Sequence, residues 1–149
     1  MSVQVSLNIA TYKLIKDGIA YAKTNETLAQ DAGRATDLLV NTLMAYNPTT
    51  KKWEPFTDET ATDGTGYPRG IILETVAAAD IVAGDVADLP ILVGGGCRVD
   101  ESMIVIENSK TLETVINVPA GVNVSVEDYL RALGIFTIPT VDIDEYENA

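Results

Sequence analysis

The fold is decided by a stretch in the first half of the chain, residues 43–56, which reads LMAYNPTTKKWEPF. It opens with four apolar or aromatic residues, and the polar residues 47–52 that follow are typical of a tight turn. The chain then returns through a short segment in which Pro55 limits the strand, because proline has no N–H for a sheet ladder. The stretch predicts a β-hairpin with a short return strand.

Two further apolar runs, residues 71–76 and 89–93, follow the hairpin and are predicted strands. Residues 57–68, which precede them, are rich in Thr, Asp and Gly and are expected to form an exposed loop. The second run ends at three consecutive glycines, Gly94 to Gly96, which favour a tight turn or bulge. Residues 101–116 are predicted to hold a strand followed by a short helix.

The beginning of the chain alternates polar and apolar residues. The apolar members, which would share one face of a strand, are Val3, Val5, Leu7 and Ile9. Residues 12–22 then place an Asp-Gly pair between two apolar segments, and this pair favours the two-residue turn of a second hairpin. The polar residues 24–34 predict a loop or a short helix.

The best-marked helix lies near the end of the chain. Ser125 can cap its first turn, Asp128 stands three residues later as in a capping box, and Gly134 suits a left-handed C-terminal cap. Its apolar face would carry Val126, Tyr129, Leu130 and Leu133. The segment from Thr140 onward is expected to be a terminal strand or a frayed acidic end, because apolar residues alternate there with Asp142, Asp144, Glu145 and Glu147.

Composition narrows the classes of function. The 149 residues include 22 acidic and 10 basic side chains, a net charge of −12, which makes nucleic acid and anionic membranes poor partners. No apolar run approaches the roughly 20 residues of a membrane span, and the first residues do not resemble a secretory signal, so we expect synthesis and folding in a cytoplasm. With one cysteine, Cys97, and no histidine, a disulfide within the chain and the usual zinc and Ser/His/Asp sites are excluded.

These elements predict an α+β, β-rich fold: a small body of mixed or barrel-like sheet, one or two short helices and an extended N-terminal arm. Its core is expected to consist mainly of Val, Ile, Leu and Ala, since only 6% of the residues are aromatic. We expect residues 1–23 to form the arm and first hairpin, and residues 24–149 to form a single domain with an acidic tail.

The order of these pieces is similar to that of the head decoration, or cement, proteins of tailed phages related to the one of phage lambda. The resemblance covers roughly residues 25 to 136. It rests on the hairpin at residues 43–56 followed by RGIILE at 69–74, on PILVGGGCRV at 90–99, and on LRALGI at 130–135.

This resemblance implies a small mixed α/β domain that forms homotrimers at threefold and quasi-threefold positions on the outside of an expanded capsid and stabilises it. The partner would be the major capsid protein, and the location would be the virion after synthesis in the host cytoplasm. The residues implied to bind the capsid, by adding a strand to it, are Val3, Val5, Leu7 and Ile9. No catalytic residue, cofactor or metal is expected. The arm and the tail after Thr140 are longer than a minimal member requires.

Several local features allow two interpretations. Residues 3–9 would either bind the capsid or pair inside their own domain, and Trp53, Pro55 and Phe56 would serve an interface or the core. Gly94 to Gly96 would form a turn or, less in keeping with the flanking sequence, a phosphate cradle. Cys97 is expected to be a structural thiol and not a nucleophile, because no histidine can activate it. Asp58, Glu59 and Asp63 would either bind calcium or belong to a solvated loop.

Two rival functions remain open. A small hydrolase could use a carboxylate pair with separated pKa values. The candidate residues are Asp58, Glu59, Asp63, Asp80, Asp85 and Asp88, and their spacing does not single out a pair. The other rival is a different virion accessory, such as a tail or fibre subunit, which would share the acidic, β-rich profile.

Overall fold

The structure, a computed structural model, describes residues 14–117 and 123–139. They form β1 (Ile15–Gly18), β2 (Tyr21–Leu28), β3 (Leu43–Asn47), β4 (Lys52–Pro55), β5 (Gly70–Ile72), α1 (Ala78–Ala83), β6 (Val86–Gly94), β7 (Cys97–Asp100), β8 (Val115–Asn117), β9 (Asn123–Ser125), α2 (Val126–Ala132) and β10 (Ile135–Ile138). A short 3-10 turn follows β7 at Glu101–Met103. The α+β, β-rich fold predicted from the sequence is confirmed. Neither helix of these residues is long and apolar enough to span a membrane.

Five strands close into a barrel in the order β2-β4-β3-β5-β6. Within it, β3 and β4 form the hairpin predicted from residues 43–56, with Tyr46 opposite Trp53. The side-chain oxygen of Asn47 accepts hydrogen bonds from the backbone N–H groups of Thr49 (3.0 Å) and Thr50 (3.3 Å). These bonds fix the turn locally, which is why the sequence alone could predict it.

The barrel interior is filled by an apolar cluster to which all five strands contribute. Its buried members are Leu28, Leu38, Met44, Trp53, Ile72, Val76, Ile81, Leu89 and Ile91. Trp53, the only tryptophan of the chain, is 3% exposed. It packs against Gly70, where an added Cβ would lie 3.4 Å from the indole and 2.7 Å from Cγ2 of Ile91. The absence of a side chain at Gly70 therefore lets Trp53 and Ile91 meet inside the barrel.

A second apolar layer joins the outside of the barrel to a three-stranded sheet and to α2. In that sheet β7 pairs antiparallel with β1 and parallel with β10. The buried residues of this layer include Leu14, Leu43, Phe56, Ile71, Leu92, Cys97, Val99, Ile116, Val126, Leu130 and Ile135. Phe56, like Trp53, therefore belongs to the core. Cys97 is fully buried, and burial raises the pKa of its thiol, as expected of a structural cysteine.

Helix α2 begins and ends where the sequence predicts. The hydroxyl of Ser125 accepts a hydrogen bond from the backbone N–H of Asp128 at 3.1 Å, and Gly134 follows the helix with φ +91°. The predicted apolar face packs against the second layer. Val126 and Leu130 are buried there, and Tyr129 and Leu133 are half-buried against it.

The hairpin predicted at residues 12–22 is wrong. β1 pairs with β7 and β2 pairs with β6, so the two strands do not pair with each other. Instead β1 is antiparallel to β7, and β2 is antiparallel to β6. The two pairs form one continuous ribbon. It passes from the three-stranded sheet into the barrel at residues 19–20 and 94–96. Gly18 does have the positive φ that its Asp-Gly pair suggests, but its ladder partner is Cys97, far along the sequence. A local turn signal does not identify a distant partner.

Three other predictions need correction. Residues 24–28 continue β2 instead of forming a loop or helix; Asn25 has φ +63° and the pairing with β6 shifts register there, which disrupts the alternation. Residues 101–116 contain a 3-10 turn and no α-helix, because Asn108 and Ser109 both have positive φ. Residues 57–68 are irregular as predicted, but not wholly exposed, since Thr65 is buried.

Helix α1 was not predicted, because its cap comes from a distant residue. Ala77 offers no side-chain cap, and the backbone N–H of Ala78 donates to the carboxylate of Asp37 at 2.9 Å. The helix has six residues, of which Ile81 is buried in the barrel cluster. Neither a local capping signal nor an apolar period therefore marks it in the sequence.

The described part of residues 1–23 belongs to the body. Leu14 and Ala22 are buried in the second layer, and both strands that the segment enters pair with strands from the middle of the chain. The contacts thus show no boundary at residue 23. The predicted arm at residues 3–9 and the acidic segment from Thr140 lie outside the described residues.

The close packing at Gly70 predicts that Gly70→Ala destabilises the protein. We expect a loss of about 1–3 kcal/mol in the free energy of unfolding, measured by urea denaturation, because the new methyl group overpacks the barrel interior. Gly84→Ala is the matched control: its Cβ would meet no atom within 4 Å and its φ of 170° is extended backbone, so stability should be unchanged or slightly raised. Equal stability of the two variants would contradict the packing described for Trp53.

Candidate interaction surface

The predicted capsid-binding residues Val3, Val5, Leu7 and Ile9 lie outside the described residues, but the point at which their segment joins the body is described. Leu14 is fully buried, and β1 follows it directly. Within the described residues β1 has one ladder neighbour, β7, and thus stands at an edge of the three-stranded sheet. The first described residue is therefore buried, next to a strand at the edge of the described sheet.

Next to this point the two-stranded ribbon bends at residues 19–20 and 94–96. The backbones there are too close together to leave room for side chains on two of the glycines. A Cβ at Gly94 would lie 2.2 Å from the carbonyl oxygen of Leu133, and one at Gly95 would lie 2.5 Å from the carbonyl oxygen of Ile19. The backbone N–H groups of Gly96 and Cys97 both donate to the carbonyl oxygen of Gly134, at 2.9 and 3.0 Å. The amides at this bend are therefore used in the fold, which argues against a phosphate cradle.

Large apolar side chains are exposed around the bend. Ile19 is 75% exposed and Tyr21 43%, and both lie in the segment that crosses from the sheet into the barrel. Phe136, 40% exposed, lies opposite Arg98 in the same sheet, and Arg98 in turn forms an ion pair with Asp17 on β1. The surface beside the base of the N-terminal segment thus combines exposed apolar groups with a paired charge, a composition found at protein interfaces.

Four of the carboxylates proposed for a hydrolase are held in the ionised form. The pKa of Asp58 is lowered by Thr60, that of Glu59 by Lys110, that of Asp63 by Thr65, and that of Asp85 by Lys52. Asp80 lies in the first turn of α1, and Asp88 lies in β6 with φ +62°. In the described part of the chain, no group of three or more acidic or cysteine side chains is placed to hold a metal ion.

One carboxylate pair does have opposed shifts, and the sequence did not indicate its first member. Burial, and then the charge of Asp63, raises the pKa of Glu54, while hydrogen bonds from Thr65 lower that of Asp63. Glu54 lies on β4 and lines a cavity of about 290 Å³. Its environment depends on residues 57–68 folding back on the hairpin, a contact that no local pattern encodes.

The charged wall of this cavity is structural. The guanidinium of Arg34 forms a two-point ion pair with Glu107, one contact of which measures 2.8 Å, and also donates to the carbonyl oxygens of Thr36 and Asp37. The hydrogen bond to Glu107 raises the pKa of Arg34. The remaining lining mixes apolar residues, such as Leu28 and Ile81, with polar ones, such as Asp31 and Thr57. Because its donors already have acceptors, Arg34 ties two loops together and has little capacity to bind a ligand.

No protein-family model matches the sequence, and no curated protein matches it either. Any function proposed for the chain therefore rests on its own residues and their arrangement.

The ion pair of Asp85 predicts a pH-dependent effect of Asp85→Asn. Lys52 Nζ lies 2.6 Å from Asp85, and the backbone N–H of Gln30 donates to it at 2.8 Å, so its pKa is lowered on folding. A lowered carboxyl pKa contributes stability above the unfolded value of about 3.9, and this is lost as pH falls through the folded value. The variant should thus be less stable than wild type at pH 7 in urea denaturation, and the difference should disappear near pH 2.

Asp88→Asn is the control, since it changes the net charge equally at an exposed residue of β6, three positions further along the chain. If both variants followed the same pH profile, the contribution of Asp85 would be general charge repulsion and not its contacts with Lys52 and Gln30.

Proposed function

We propose that the chain is a structural virion protein, a homotrimeric decoration protein that binds the outside of an expanded phage capsid and stabilises it. The observation that carries the proposal is the anchored base of the N-terminal segment: Leu14 is buried, and β1 lies at an edge of the described sheet. An extended segment that leaves a rigid body at such a point is suited to add a strand to a partner's sheet.

The alternation of Val3, Val5, Leu7 and Ile9 supports this role, because one face of the added strand would be apolar. Burying four such side chains contributes about 6–12 kcal/mol, while ordering seven backbone residues costs about 7–14 kcal/mol. One arm alone would therefore bind weakly. Three arms on one trimer raise the effective concentration of each arm after the first has bound, so a trimer can bind firmly.

The exposed side chains beside the arm fit the same role. Ile19, Tyr21 and Phe136 lie near the base of the segment and would be covered when the body rests on a protein shell. A net charge of −12 disfavours nucleic acid as the partner. The resemblance of residues 43–56, 69–74 and 90–99 to head decoration proteins supports a capsid as that shell.

We expect the variant Val3→Ser/Val5→Ser/Leu7→Ser/Ile9→Ser to lose binding to expanded capsids of the corresponding phage. The loss of four apolar contacts should lower the affinity by more than about a thousandfold in co-sedimentation, and the variant should no longer raise the temperature at which the capsids break. Gln4→Ala/Asn8→Ala, on the other face of the strand, is the matched control and should bind like wild type. Sedimentation equilibrium of each free protein first checks that it is a trimer.

Full binding and full heat protection by the fourfold serine variant would remove the arm from the mechanism. A monomer at all concentrations would contradict the trimer. Specific location on a tail or fibre in electron micrographs of intact particles would favour the accessory-protein alternative.

A second candidate function, a carboxylate-based hydrolase, is favoured by one observation, the opposed pKa shifts of Asp63 and of Glu54, which lines the cavity. We expect no turnover of chromogenic ester and glycoside substrates between pH 4 and 8, because Arg34 and Glu107, the charged pair in that cavity, are bound to each other. Turnover that Glu54→Gln abolishes and Glu59→Gln leaves intact would overturn this expectation and establish the enzyme.

A further inference from the structure

A second cavity, of about 150 Å³, lies beside the start of β2, away from the Arg34 cavity. It is lined by Lys23, Tyr46, Trp53, Arg69, Val93 and Leu133. These residues come from four strands of the barrel, from the loop before β5 and from the end of α2. The cavity therefore depends on the assembled fold and has no signature in any one segment.

Its charge is opposite to that of the protein as a whole. Most cations of the described residues have an acidic partner: Arg34, Lys52, Arg98, Lys110 and Arg131 all form ion pairs. Lys23 and Arg69 form no ion pair with any described residue, and both line this cavity. In a chain of net charge −12, two unpaired cations at one site form a local positive patch.

The other lining residues make the site rigid. The guanidinium of Arg69 lies 5.8 Å from the centre of the Tyr46 ring, and that ring lies 5.1 Å from the indole of Trp53. Trp53 is 97% buried, and its indole N–H has no acceptor within the described part of the chain. That indole N–H is itself enclosed, so the groups that a ligand can reach are the two cations. Two cations at one site are suited to a carboxylate.

We propose that this cavity is a carboxylate-binding site and that its ligand is the acidic segment of the same chain, residues 142–147. That segment offers four carboxylates, Asp142, Asp144, Glu145 and Glu147. Charge complementarity selects it, because the site is positive and the segment contains no basic residue. The inference does not depend on capsid binding.

The segment is long enough to reach the site. Leu133 lines the cavity, and β10 then carries the chain about 13 Å away over its four residues. Glu147 lies nine residues beyond Ile138, and an extended chain of that length spans about 30 Å, which is enough to return. A tethered segment acts at a millimolar effective concentration, so weak exposed ion pairs are sufficient to hold it.

Trp53 makes the proposal testable, because it is the only tryptophan and it lines the cavity. The experiment measures quenching of its fluorescence by acrylamide, a neutral quencher, in full-length protein. The test variant is Asp142→Asn/Asp144→Asn/Glu145→Gln/Glu147→Gln. We expect its quenching constant to be about threefold higher than that of wild type, and 0.5 M salt to raise that of wild type to the same level.

Lys23→Gln/Arg69→Gln should have the same effect, and combining it with the fourfold variant should add nothing. Two controls should behave like wild type. The first is Lys51→Gln, at an exposed residue of the β3–β4 turn. The second, Glu74→Gln/Asp80→Asn/Asp88→Asn/Glu113→Gln, matches the charge change of the test variant elsewhere on the body. A peptide of residues 140–149 should restore protection to the fourfold variant.

Equal quenching of wild type and the fourfold variant at low salt would overturn the proposal. Additive effects of the two sets of substitutions would overturn it as well, because they would act at separate places. Protection that increases with protein concentration would assign the ligand to a second copy of the chain and overturn the intrachain arrangement.

Discussion

The structure depends on a close approach of backbones at one bend, where the chain passes between the three-stranded sheet and the barrel. At this bend a Cβ on Gly94 would collide with the carbonyl of Leu133, and one on Gly95 with that of Ile19. The N–H groups of Gly96 and Cys97 share the carbonyl oxygen of Gly134. Since the barrel, the sheet and the end of α2 meet here, side chains at Gly94 and Gly95 would force these backbones apart.

The bend also determines what the surface offers. Among the described strands it places β1 at the edge of a sheet, with Leu14 buried beside it. At the same bend the side chains of Ile19 and Tyr21 are exposed. The same constraint that closes the core thus produces the apolar surface on which the proposed capsid contact relies.

The parts of this fold that the sequence predicts are those stabilised by nearby residues. Asn47 holds its own turn and Ser125 caps its own helix, so the β3–β4 hairpin and α2 are encoded locally. The failures arise from distant partners. The cap of α1 comes from Asp37, and Gly18 is paired with Cys97. Periodicity and turn signals carry no information about such partners, which explains why the element types were predicted better than their connections.

The same division applies to the candidate sites. The alternation of residues 3–9 can be read directly from the sequence, and their role stays a prediction. The environment of Glu54 and the unpaired state of Lys23 and Arg69 become visible only once loops and strands have come together. Charge makes this distinction important, because the chain has 10 basic residues against 22 acidic ones. Three of the described cations, Arg34, Lys52 and Lys110, tie distant segments together through ion pairs. A pair of cations left without such a role therefore marks a place where an acidic group can be accommodated.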